Sequence, residues 1–75
     1  MELNDIKEAL KESNNKIVRV GNPVGVGWLE GELIYNGNTT SVILIGHYIT
    51  IGFNPIDVTY FQWDAQDVLE IGLRN

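Results

Sequence analysis

Trp28-Leu29-Glu30-Gly31-Glu32-Leu33-Ile34-Tyr35-Asn36-Gly37-Asn38-Thr39-Thr40-Ser41-Val42-Ile43-Leu44-Ile45 decides the fold of this chain. Two runs of alternating, β-branched-rich residues flank Asn36-Gly37. A two-residue type I′ turn needs positive φ at both central positions, and Asn-Gly supplies it. The stretch therefore reads as a β-hairpin with Tyr35 opposite Asn38. That register sets Leu33 against Thr40, Gly31 against Val42 and Leu29 against Leu44 on a core face. The other face then pairs Glu32 with Ser41, Glu30 with Ile43, Trp28 with Ile45 and Val26 with His47. A solvated face is polar throughout, so Trp28, Ile43 and Ile45 call for a cover: the N-terminal helix, another subunit or a partner.

Working outward, Leu3, Ile6 and Leu10 recur at helical spacing with Ala9 beside them, while Asp5, Lys7, Glu8, Lys11 and Glu12 take the opposite side. The spacing predicts a helix over 4–13, with Asn4 as N-cap and Ser13-Asn14-Asn15 as the polar stop. From Lys16 the period changes to two, and five strands are expected near 16–20, 26–35, 39–51, 58–63 and 68–73. Gly21 to Gly27 reads as a turn, since a phosphate loop needs a Lys and a following helix that are missing here. Asp64 is placed to cap a one-turn link, with Asp67 bonding back. Both prolines follow an Asn, and no linker or repeat divides the chain, so residues 1–75 form one domain.

Composition narrows the function. Ten acidic against five basic residues give a net charge of −5, the wrong sign for gaining affinity by neutralising phosphates, so duplex DNA is not an expected partner. Such a surface attracts a basic protein instead. With no cysteine there is no disulfide framework, zinc ribbon or thiol nucleophile. The start Met1-Glu2-Leu3-Asn4-Asp5 is unlike a signal peptide, and the charge-free window from Leu33 to Ile56 is broken by polar residues, Gly and Pro. The expected location is cytoplasmic, away from membranes.

Catalytic material is sparse. The single histidine, His47, shares a strand face with Ser41 but lies roughly 20 Å away at strand rise, too far for a dyad. Glu30 and Glu32 sit about 7 Å apart on one face without an evident third ligand, so they read as solvated charges rather than a metal site. Trp28, Tyr48, Tyr60, Phe61 and Trp63 offer stacking surface, with Phe61 and Trp63 on one side of their strand and Tyr60 on the other. No enzyme activity, metal or cofactor is expected.

The helix, then Lys16-Ile17-Val18-Arg19-Val20, then Gly31-Glu32-Leu33, then Val42-Ile43-Leu44, resembles in order the first half of the Sm and Hfq-like proteins. The resemblance implies a five-stranded, strongly bent antiparallel sheet closed as an SH3-like or Sm-like small barrel, mainly β with one N-terminal helix, and a tendency to homo-oligomerise. Ser41 stands where that family usually has Asn, and Gln62-Trp63 where it has an Arg-Gly signature, so no RNA-binding residue carries over. In size and acidity the chain is also similar to small phage or mobile-element accessory proteins that inhibit host machinery, including anti-defence proteins. The leading expectation is a non-enzymatic protein that binds a protein partner through Trp28, Glu30, Glu32, Ile43 and Ile45. The alternative is an Sm-like homo-oligomer that binds nucleotide or RNA at subunit junctions.

Overall fold

A computed structural model describes residues 2–22, 27–37, 39–44 and 50–74. The elements are a helix α1 (Leu3–Glu12) and strands β1 (Ile17–Asn22), β2 (Gly27–Tyr35), β3 (Thr40–Leu44), β4 (Thr50–Phe53), β5 (Val58–Trp63) and β6 (Leu69–Leu73), with a 3₁₀ turn at Pro55–Asp57 before β5. The fold is mainly β with one N-terminal helix, as expected. Three expectations are corrected. There are six strands in one sheet, because the segment read as a single strand over 39–51 contributes both β3 and β4. The sheet is open, in the order β4-β3-β2-β1-β6-β5, rather than closed as a barrel. It is also mixed, since β1 and β6 run parallel while every other neighbouring pair is antiparallel.

The hairpin register differs too. Leu33 lies opposite Val42 and Glu32 opposite Ile43, a slip of two residues from the expected pairing. Asn36 and Thr39 close the turn, with the Asn36 N–H donating to the Thr39 carbonyl and the Asn36 Oδ1 accepting from the Thr39 N–H at 2.9 Å. Gly37 thereby occupies the first central position with φ +96°, where glycine suits a hairpin turn. Because side chains alternate with period two, a slip of two leaves Leu33, Thr40 and Val42 on the core face and Glu32, Ser41 and Ile43 on the other, as expected.

Helix α1 starts one residue early: Glu2 precedes it, its carbonyl accepts from Asp5 and Ile6, and Asn4 lies inside the first turn instead of capping it. The polar stop behaves as read. Asn15 takes φ 65°, its N–H reaches the Leu33 carbonyl at 2.7 Å, and the Asn14 Oδ1 accepts from the Tyr35 N–H at 2.8 Å. These bonds lay the helix against β2 with Ile6, Ala9 and Leu10 buried. A helix of ten residues is marginal in water. Burying Leu10 alone contributes roughly 1.5–3 kcal/mol toward holding it.

Val18, Val20, Leu33, Val42, Leu69 and Ile71 complete the core on the helix side of the sheet. Strands β1 and β6 are both interior, each with a strand on either side, and the helix covers this face, so Val18, Val20, Leu69 and Ile71 are almost wholly excluded from solvent. Thr40 is the exception in chemistry: it lies in this apolar layer with its Oγ1 buried and without a hydrogen-bond partner. In the β5–β6 link, the Asp64 Oδ1 accepts from the Gln66 and Val68 N–H groups at 2.8 and 2.9 Å, confirming the cap. Asp67 contributes a left-handed backbone, φ 61°, and not the expected reciprocal side-chain bond. That kind of bond occurs at the 3₁₀ turn, where the Asp57 carboxylate accepts from the Asn54 N–H. Among the described residues no helix is long and apolar enough to cross a membrane.

Candidate interaction face

Alternation divides every strand between the helix-covered face and an outer one. On β1 the outer residues are Ile17, Arg19 and Gly21, and cross-strand pairing extends them into rows. One row joins Trp28, Gly21, Gly72 and Tyr60 across β2, β1, β6 and β5. The next joins Glu30, Arg19, Glu70 and Gln62. A third joins Ile17, Glu32, Ile43 and Thr50 across β1 to β4.

The first row depends on its two glycines. A Cβ on Gly21 would come within 2.8 Å of the Trp28 ring, and a Cβ on Gly72 would enter the Tyr60 ring. With hydrogen at both positions, the two aromatics lie over the backbone and meet edge to face, centroids 6.1 Å apart and planes at 89°. This is the geometry favoured by ring quadrupoles.

The second row centres on Arg19. Its Nη1 donates to the Asp64 Oδ2 at 2.6 Å and the Glu70 Oε2 at 3.1 Å, and its Nε lies 3.9 Å from the Glu30 Oε2. The Gln62 amide donates to the other Glu70 oxygen at 2.6 Å. Its hydrogen bonds to Asp64 and then to Glu70 raise the Arg19 pKa above its usual value, keeping the guanidinium charged. The Asp64 carboxyl is held below the ordinary carboxylate value, first by the Val68 N–H and then by Arg19. One cation thus serves three carboxylates, and Glu32 adds a fourth to the face.

Four of the five residues expected at an interaction site therefore share this face: Trp28, Glu30, Glu32 and Ile43. Ile45 lies outside the described residues, as do His47 and Tyr48. The helix does not cover the face, because it packs on the opposite side of the sheet. Trp28 remains 44% exposed and Ile43 45%, accompanied by Ile17 and Ile34. Phe61 and Trp63 belong to the helix side, opposite Tyr60, as the alternation predicted.

Arg19, Asp64, Glu70, Gln62 and Tyr60 were missed as members of this face. Parity assigns Arg19 correctly within its own strand, but only the parallel β1–β6 pairing brings Glu70 and Asp64 to it. Glu30 meets Arg19 rather than joining Glu32 around a cation, and among the described residues no group of three metal-ligating side chains converges. Comparison with family models, with curated proteins and with solved structures gave no match to this chain.

Proposed function

We propose that this chain is a non-enzymatic interaction protein whose outer sheet face binds a protein partner carrying basic residues around an apolar strip. One observation carries the reading: the face opposite the helix is left uncovered by it and, among the described residues, combines exposed Trp28, Ile17, Ile34 and Ile43 with Glu30, Glu32, Asp64 and Glu70 gathered around Arg19. Apolar area provides the affinity, and surplus negative charge steers and orients a cationic partner. A second copy is a poor occupant of this face, since packing it on itself sets these carboxylates against their own counterparts. The small, acidic character is in keeping with an accessory or inhibitor protein of the phage type.

The test is a titration of isotope-labelled protein with an amphipathic peptide alternating Lys and Leu, with a Glu-for-Lys counterpart and a single-stranded RNA oligomer as comparison arms. The basic peptide is expected to shift the Trp28 indole and the Ile17, Ile34 and Ile43 methyl signals, with binding weakened by salt. Glu32→Lys, which leaves the Arg19 cluster intact, should weaken it by roughly two- to five-fold, the size of an exposed charge contact. Equal binding of the acidic peptide, or shifts confined to the helix side, would refute the reading. Preferential RNA binding would favour the nucleic-acid alternative.

A further inference from the structure

Strand β5 ends the sheet order, so among the described residues no strand lies beside one of its sides. Its sequence, Val58-Thr59-Tyr60-Phe61-Gln62-Trp63, contains none of the charges or prolines that natural edge strands use to block further pairing. Backbone direction is fixed by the link that follows. Asp64 donates its N–H to the Val68 carbonyl at 3.0 Å, and bonded positions recur at every second residue of an antiparallel ladder. Gln62 and Tyr60 therefore turn their backbone groups toward β6, while Phe61 and Trp63 turn theirs outward.

We infer that β5 pairs antiparallel with β5 of a second copy, about a two-fold axis at Gln62, to make one continuous sheet. This register is self-complementary. Phe61 lies opposite the second copy's Trp63 and exchanges both backbone bonds with it, and the same happens across the axis. The bulge between Val58 and Tyr60 stays outside this central stretch. Parity is kept, so the helix-covered faces lie on the same side and two Phe–Trp cross-strand contacts extend the apolar layer. Trp63 is 39% exposed, so part of its ring is free to take such a contact. Asp64 falls opposite Tyr60, so no carboxylate directly faces another along the paired stretch. Gln62 meets Gln62 on the outer side at a non-bonded position, where Cα atoms approach most closely. The outer faces remain open and are presented side by side, so the dimer is independent of the partner proposed above.

Sedimentation equilibrium of the full chain over a wide concentration range tests this directly. The mass is expected to rise from 8.4 kDa toward twice that value. Gln62→Lys sets two ammonium groups together at the axis and should return the chain to monomer while leaving its circular dichroism unchanged. Because the native chain has no cysteine, Gln62→Cys should oxidise to a disulfide dimer at a separation suited to the bond, well ahead of Thr50→Cys on exposed β4. A wild-type chain that stays monomeric at millimolar concentration overturns the inference. So does a dimer indifferent to Gln62→Lys, equal oxidation of the two cysteine variants, or a larger closed ring built by β5 meeting β4.

Discussion

Replacing Gly72 by Ala tests whether the outer aromatic row is built on the backbone of β1 and β6. The added methyl enters the Tyr60 ring, which has to swing away from Trp28. Overpacking of this kind costs about 1–3 kcal/mol. Loss of the edge-to-face pair adds about 0.5–1.5 kcal/mol. Against these, removing a glycine from the unfolded chain returns about 0.4–1 kcal/mol. The expected net effect is a destabilisation of about 2 kcal/mol, a large share of the roughly 4–11 kcal/mol that a chain of this length commands, yet small enough to leave it folded. In a Tyr60→Ala background the obstruction is gone, and the same Gly72→Ala change should become neutral or slightly stabilising. The assay is urea unfolding of the four proteins of the cycle, which gives the coupling between the two positions. Equal effects of Gly72→Ala in both backgrounds would refute the account of the row.

Thr40→Val should stabilise the protein by about 1 kcal/mol, because it replaces a buried hydroxyl that has no partner with a methyl of the same shape, and thermal unfolding should show a midpoint raised by about 4–8 °C. An unchanged or lowered midpoint would show that the hydroxyl is satisfied in solution. Acid sensitivity should report on Asp64. Its folded-state pKa is depressed below the ordinary carboxylate value of 3.8, so its contribution is fully present well above that pH and is lost as pH falls through the folded value. Asp64→Asn keeps an oxygen for the Gln66 and Val68 N–H groups but removes the charge facing Arg19. The stability gap between wild type and this variant should be constant above about pH 5 and close below pH 3.8, and a gap that stays constant through the acid range would contradict the assignment.

Much of the fold is legible in local pattern. The helical spacing of Leu3, Ile6 and Leu10 and the bounds of β5 at Val58–Trp63 follow from periodicity and breakers alone. The faces of Trp28, Glu30, Glu32 and Ile43 survive even a wrong hairpin register, because the slip was of two residues. Local pattern also misled where two signals were equivalent. Asn36-Gly37 and Gly37-Asn38 both offer a glycine to a two-residue turn, and the choice rests on the Asn36 and Thr39 bonds that close the loop. Asn4 looks like a cap, yet the helix is laid down by its contacts with β2, and its start moves accordingly.

Alternation along one strand is a short-range property, set by steric preference and by the need to bury every second side chain. It determined the helix, most strand positions and which residues share a face. It carries no information about which strand lies beside which, because a period of two is the same in parallel and antiparallel neighbours. The insertion of β6 between β1 and β5, the open sheet in place of a barrel, the convergence of Asp64, Glu70 and Glu30 on Arg19, and the paired glycines beneath Trp28 and Tyr60 were all decided by tertiary structure. Each joins residues far apart in the chain, and only the collective burial of Val18, Val20, Leu69 and Ile71 under the helix selects that arrangement over the others the same pattern permits.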